Sequence, residues 1–354
     1  MTISEIAKIA NVAPATVDRV LHNRGRVSAK TTKLVLDIVN ENGFEPNQYA
    51  RNLRLNKEYK FGVLIKQPVE DGYWQILKDG CDAASKDMKS LTASLIFGYF
   101  DDTPQKSFYN VGKELLSQHI DGLILAPNSP AEVERLLPEI QNIPYGFVNT
   151  NYDGAKPIID TSQNCFIAGS TAAKIMLMLR PNGKTFATFR RESISNTAQK
   201  RTSSFTDALL NFNGKDITVL DFIVDHSKNI ENQISSFIAN SPQIDGFFIV
   251  NTATYLYMNA LERIYPDFLT SPERPAIIGY DAVSKNISLL ENQKIDCLIS
   301  QQPFSQGYNA VHQMYLYQVL GKKEKITVEK HAPVTILFKE NIPSYRGTIR
   351  ERFY

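Results

Sequence analysis

Two sets of residues in this chain have the types and spacing to recognise other molecules. The first is Pro14, Ala15, Asp18 and Arg19, which share one face of a short helical stretch. An Arg fork suits the O6 and N7 acceptors of guanine, and an Asp can accept from the amino group of cytosine. The second set is scattered. Tyr73 and the single Trp, Trp74, offer flat faces that suit the C–H faces of a sugar ring, although such a pair also fits an ordinary core. Arg201 carries five donors in a fixed fork, suited to ring oxygens, hydroxyls or a carboxylate; it also fits a surface position beside Lys200. Asn251 ends an apolar run, where a polar residue is either a cap or a ligand contact. Asp281 ends Ala-Ile-Ile-Gly-Tyr-Asp and could accept two hydroxyls.

Bond-making chemistry finds no support. Gly183-Lys184-Thr185 looks like the end of a phosphate loop, but the Gly required five residues earlier is Met178. His22, His119, His226, His312 and His331 have no metal-ligand spacing, and no Gly-x-Ser-x-Gly elbow occurs. The expectation is a protein without catalytic residues, metal or cofactor. Cys81, Cys165 and Cys297 are scattered and read as free thiols in a reducing cytosol. No stretch approaches the roughly 20 apolar residues of a membrane span. No basic start leads into an apolar run, so no secretory signal is expected.

The elements that must position the first set come at the start of the chain. Thr2 and Glu5 have capping-box spacing, and Ile3, Ile6, Ala7 and Ala10 follow at helical period. Pro14 suits the first position of a second helix, with Val17, Val20 and Leu21 as its apolar stripe. Ser28 can cap a third helix with Leu34, Val35, Ile38 and Val39 on its inner face, and Gly43 ends it. Two short helices across a tight turn, locked by a third, form a helix-turn-helix whose second helix would enter a major groove. A small three-helix bundle without nucleic acid fits the periodicity equally well. The first 60 residues carry ten Lys/Arg against six Asp/Glu, which leaves the remainder faintly acidic in a chain of net charge +2.

The segments ISEIAKIANV, ATVDRVLHN, VSAKT and GFEPNQYARNL together resemble the DNA-binding head of the lactose-repressor (LacI) family, with several fixed elements in matching spacing. The resemblance implies a homodimer on pseudo-palindromic operator DNA. It implies DNA contacts from Thr2, Pro14, Ala15, Thr16, Asp18, Arg19 and Asn23 in the head. It further implies a hinge helix that contacts DNA through Asn47 and Ala50 and wedges Leu53 into the minor groove, kinking the duplex. Two departures stand out. Ala13 replaces a frequent capping Ser, and Asp18 replaces a Ser that touches phosphate in relatives.

From Phe61 the texture changes to apolar strand runs alternating with helices: 61–65, 94–100, 121–127, 145–149, 184–189, 217–224, 245–251 and 276–281. This implies parallel sheets covered on both faces, in two lobes. The body resembles the type I periplasmic-binding-protein fold, in its ribose-binding branch. In that fold the chain crosses between lobes three times and ligand sits in the cleft, beyond the C-terminal ends of the strands. The resemblance places Tyr73, Trp74, Asn149, Arg201, Asn251, Asp281 and Gln301 at the cleft. Asn149-Thr150 stands where ribose-type relatives carry an Asp-Arg pair, which points away from ribose itself.

The expected fold class is therefore α/β: an all-α helix-turn-helix head (1–45), a hinge or linker (46–60), and a two-lobed type I periplasmic-binding-protein-like body (61–354). Lobe 1 is expected at 61–161 and 301–324, and lobe 2 at 162–300 and 325–345. The expected function is a cytoplasmic, nucleoid-associated bacterial transcription regulator, a repressor of carbohydrate-related genes tuned by a sugar-like effector. A solute-binding protein for sugar uptake is the alternative. No membrane partner is expected.

Overall fold

The computed structural model describes residues 2–21, 25–42, 58–88, 93–101, 103–191, 196–213, 216–267, 271 and 273–345, with only the backbone of 212 and 213. Asn23, Gly43, Asn47, Ala50 and Leu53 lie outside the described residues, as does the expected hinge up to residue 57. The chain divides into two compact units, residues 1–57 and 58–354.

In the first unit, helix α1 (Ile3–Ile9) begins at a reciprocal cap. The Thr2 N–H donates to Glu5 Oε2 at 2.7 Å, and the Glu5 N–H donates to Thr2 Oγ1 at 3.3 Å. Helix α2 (Pro14–Leu21) opens on Pro14, whose missing N–H falls where a helix offers no acceptor. Helix α3 (Ala29–Glu41) is capped by Ser28, whose Oγ accepts from the Thr31 N–H at 3.2 Å. It closes at Asn42, whose side-chain amide donates to the Ile38 carbonyl at 2.8 Å. Ile6, Ala7, Ala10, Val17, Val35 and Ile38 form the core of this unit. Leu34 departs from expectation: it is 46% exposed. The seam of α3 is centred on Val35 and Ile38, and a partner of two short helices covers only a narrow stripe, so the flanking Leu34 stays outside.

The second unit opens with strands β1 (Tyr59–Lys66), β2 (Ala93–Phe100), β3 (Gly122–Leu125), β4 (Tyr145–Phe147) and β5 (Ile159–Asp160). They pair in parallel in the order β2-β1-β3-β4-β5, joined through helices α4 (Tyr73–Asp87), α5 (Phe108–Leu116) and α6 (Pro130–Leu136). The chain then crosses at Ser162-Gln163 into a second sheet. This one contains β6 (Thr185–Arg191), β7 (Thr218–Val224), β8 (Gly246–Ile249), β9 (Ala276–Tyr280) and β10 (Cys297–Ser300). Helices α7 (Cys165–Leu179), α8 (Thr197–Asn213), α9 (Ile230–Ala239), α10 (Thr254–Ile264) and α11 (Ser284–Glu291) accompany these strands.

After β10 the chain returns to the first lobe as α12 (Pro303–Gln318), which packs on α4. The two helices come close enough that a Cβ on Gly307 would lie 2.2 Å from the Leu77 carbonyl oxygen, so only glycine fits there. A third pass bridges Asp160 to Glu329 and Gln163 to Ala332. It ends in β11 (Thr335–Leu337), antiparallel on β10, and completes the order β11-β10-β9-β8-β6-β7.

Each of the eight apolar runs read from the sequence overlaps a strand. Among them β3, β8 and β9 are buried along their whole length, which is why they read as continuous apolar runs. The edge strand β7 is less buried, with Thr218, Asp221 and Ile223 exposed. Separate cores fill the two lobes. Phe108, Leu115, Leu123 and Phe147 belong to the first, and Phe189, Phe247, Tyr257 and Leu261 to the second.

Candidate functional site

The exposed face of α2 is the one expected. Pro14, Ala15 and Arg19 are exposed, and Thr16 and Asp18 are half-buried beside the fully buried Val17. Thr2 is exposed at the cap of α1. A guanidinium on the outer face of a short helix, locked from behind by two others, can reach a groove without disturbing the core.

In the body, the C-terminal ends of strands from both sheets converge on one cavity of about 370 Å³. Tyr73 and Trp74 from the start of α4, Asn149 after β4 and Arg201 on α8 line it. So do Asn251 after β8, Asp281 after β9 and Gln301 after β10. All seven cleft positions inferred from the sequence are thus brought together. The volume lies at the lower end of the roughly 300–1,000 Å³ usual for small-molecule sites. A smaller cavity of about 200 Å³ lies beside the lobe crossing, against Ser162, Gln163 and Cys165.

The polar groups in the larger cavity form one chain. Arg201 is 4% exposed; its Nη2 donates to Gln301 Oε1 at 2.6 Å and its Nη1 to the Val250 carbonyl at 3.1 Å. Gln301 Nε2 donates to Asp281 Oδ1 at 2.7 Å, and the Thr252 hydroxyl donates to the other carboxylate oxygen. The Arg201 guanidinium also stacks 4.1 Å above the centre of the Tyr280 ring. Burial works against the Arg201 charge, but Tyr280, then Cys165, Asp281 and Tyr73, together more than offset it. Burial pushes the Asp281 carboxyl upward, while Arg201, Thr252 and Gln301 pull it back toward the ionised form. The buried Arg201 Nε has no protein partner among the described residues.

Asn149 and Asp281 both adopt left-handed backbone, with φ of 65° and 66°. This costs of order 1–3 kcal/mol at a non-glycine residue and persists only where the surroundings fix it. Here they do. The Asn149 N–H donates to Gln306 Oε1 at 2.7 Å. The Asp281 N–H donates to the Ile299 carbonyl at 2.8 Å, and its own carbonyl accepts from Asn286 Nδ2 at 3.0 Å. Tyr73 is 6% exposed and meets the half-buried Trp74 edge to face, with ring centres 5.1 Å apart.

The polar chain continues to the lobe crossing. The Tyr280 hydroxyl donates to Gln163 Oε1, and Gln163 Nε2 donates to the carbonyls of Ser300 at 3.0 Å and Pro333 at 3.1 Å. One glutamine thereby ties all three crossing segments to the residue on which Arg201 stacks.

Close packing of α7 on α8 sets the position of Arg201. A Cβ on Gly169 would lie 2.4 Å from the Arg201 carbonyl oxygen and 2.9 Å from the Phe205 nitrogen. Gly169→Ala must therefore displace α8. The expected loss is about 1–3 kcal/mol of stability, as for other overpacked interiors. Thermal denaturation would read it, and an unchanged melting temperature would show that the helix spacing is not fixed there.

The description "Bacterial regulatory proteins, lacI family" matches residues 2–47, and "Periplasmic binding protein domain" matches residues 61–323. The chain belongs to the periplasmic-binding-protein domain family, with a lacI-family head. The transcriptional repressor PurR of Aliivibrio fischeri is 26% identical over 290 residues, covering 80% of this chain and 82% of that one. The ribose operon repressor of Halalkalibacterium halodurans is 24% identical over 342 residues, covering 96% of both. A solved structure of a LacI transcriptional regulator from Bacteroides fragilis has a TM-score of 0.75 at 22% identity, over 82% of this chain and all of that one, and shares the fold. This lacI-family protein is a DNA-binding transcription regulator.

Strand ends that went unremarked in the sequence also line the larger cavity: Lys66 at the end of β1, Asn128 after β3 and Arg191 at the end of β6. The rule that ligands sit beyond strand ends would have found these three. His226 after β7 and Thr252 after β8 line it too and obey the same rule. Among the described residues no group of three or more His, Cys, Asp or Glu could hold a metal ion.

Proposed function

We propose that this lacI-family regulator is a homodimeric repressor in the bacterial cytoplasm, released from or tuned on a pseudo-palindromic operator by a sugar-like effector in the inter-lobe cavity. The observation that carries the proposal is the lining of that cavity. An aromatic pair, a donor fork and an acceptor carboxylate converge on a space of about 370 Å³, which suits a polyhydroxylated ring. The name of the ribose operon repressor agrees with a carbohydrate effector. Arg19 would read a base, Leu53 would wedge the minor groove, and residues 46–60 would serve as the hinge between head and body.

The effector works only if it binds one lobe arrangement more tightly than the other. The Arg201–Tyr280–Gln163 chain gives it a path to the crossings, since ligand contact with Arg201 bears on the segments about which the lobes move.

The test has two parts on the full-length protein. Sugars screened by thermal shift should include at least one that raises the melting temperature, because a ligand of the native state stabilises it. A gel shift on the protein's own upstream DNA should show a specific complex that this sugar alters. A protein that binds sugar but never that DNA would be a solute carrier, and the regulatory proposal would fall.

A further inference from the structure

We propose that the effector is an anionic sugar, a monosaccharide bearing a carboxylate or phosphate group, and that Arg191 and His226 form the subsite for its charged group. The proposal rests on reading the inter-lobe cavity as the effector site.

The charges lining that cavity are unequal. Arg201 and Asp281 answer each other through Gln301. Beyond that pair the lining adds the cations Lys66 and Arg191 and the imidazole of His226 and, among the described residues, no further carboxylate. Lys66 comes from the first lobe, where Asp101 lies near it; Arg191 and His226 belong to the second lobe.

Two adjacent arginines at the end of β6 behave differently. Arg190 clasps Asp221 of β7, with Nη2 to Oδ2 at 2.8 Å and Nε to the same oxygen at 3.0 Å. Arg191 alternates to the other face of the strand and lines the cavity. Among the described residues it makes no ion pair, and it is exposed. His226 follows β7, and its Nε2 shares a hydrogen bond with the Tyr257 hydroxyl at 2.9 Å, which fixes the ring. The acid next to it in sequence, Asp225, is committed elsewhere: it accepts from the Ser227 hydroxyl at 2.6 Å and pairs with Lys228 at 3.0 Å. Burial, and then the Arg191 charge, hold His226 below its ordinary range against the opposing pull of Asp225, and among the described residues no carboxylate forms an ion pair with Arg191.

A ligand anion would supply what the protein does not. Charge-assisted bonds from a guanidinium to carboxylate or phosphate are roughly twice as strong as neutral ones, and a fork can make two at once. Thr197, which donates to the Thr150 hydroxyl at 3.0 Å, and Asn251, whose Oδ1 accepts from the Ala253 N–H at 3.1 Å, also line the cavity.

The test uses full-length protein and matched ligands: hexoses and pentoses, their uronic and aldonic acids, their phosphates, and inorganic phosphate alone. Thermal shift finds the binders, and calorimetry at fixed salt measures affinity for wild type, Arg191→Gln and Asp281→Asn. An acidic sugar should bind more tightly than its neutral parent. Arg191→Gln should weaken the acidic sugar about tenfold or more, the usual scale for a lost charge-assisted contact, and leave the neutral parent nearly unchanged. The carboxylate and phosphate series tell the two charged groups apart. If neutral parents bind as tightly as their acids, or Arg191→Gln binds the acid like wild type, the anion subsite is overturned; a loss of that binding in Asp281→Asn would still keep the sugar cleft. If neither series shifts the melting temperature, both the subsite and the sugar cleft are overturned.

Discussion

Asp281→Asn should bind operator like the wild type yet need more than ten times as much effector to respond. Asp281 ends β9 with a left-handed backbone, and it is 2% exposed in the cavity wall. Its carboxylate accepts from Gln301 and Thr252, and the residue lines the cavity. Loss of one charged acceptor costs roughly 1.5–3 kcal/mol, and 1.4 kcal/mol is tenfold in affinity. Asparagine is the informative replacement because it tolerates positive φ and keeps the shape of the side chain. Alanine at the same backbone would add roughly 1–2 kcal/mol of strain and confuse lost contact with lost folding. The residue belongs to the body unit, residues 58–354, so operator affinity without ligand should not move. Operator release at wild-type effector concentrations would show that this carboxylate does not touch the ligand.

Arg19→Ala should lower operator affinity by a factor between about five and 150, the span of roughly 1–3 kcal/mol for a base contact, and should do so unevenly across operator variants. Arg19 is exposed on α2, and Val17, not Arg19, belongs to the head core, so folding should be untouched. The measurement is affinity for wild-type operator and single-base variants at one salt concentration, since phosphate contacts make affinity salt-dependent. A uniform loss across all variants would show that Arg19 grips only the backbone of the DNA.

Much of this molecule was legible in its sequence, for reasons that differ by region. The head reads clearly because Thr2, Glu5, Pro14 and Ser28 are local signals, each acting within one helical turn. Leu34 misled because periodicity locates a stripe but not its width. The central strands read clearly because both of their faces are covered. Three strands were missed: β5 has two residues, β11 three and β10 four. Such short pieces, placed where the chain changes lobes, are held by their neighbours more than by their own pattern.

The seven cleft residues were found by resemblance and by their places after strands and turns. Their mutual bonds were not foreseeable. Nothing in Gln163 announces that it joins Tyr280 to two other crossing segments, because its partners lie 117 to 170 residues away in the chain. Arg191 was hidden by Arg190, since only the pleat distinguishes the arginine that clasps Asp221 from the one that lines the cavity.

Coupling between cavity and operator is tested most directly by one titration. Full-length protein is bound to its own labelled upstream DNA at fixed salt, and fluorescence anisotropy follows the complex as the stabilising sugar is added. Allosteric coupling of about 1–3 kcal/mol corresponds to a shift of about five- to 150-fold, and by linkage the operator should change sugar affinity by the same factor. A shift of that size, lost in Asp281→Asn, is the predicted result. A sugar that saturates the cavity while operator affinity stays the same would contradict the account.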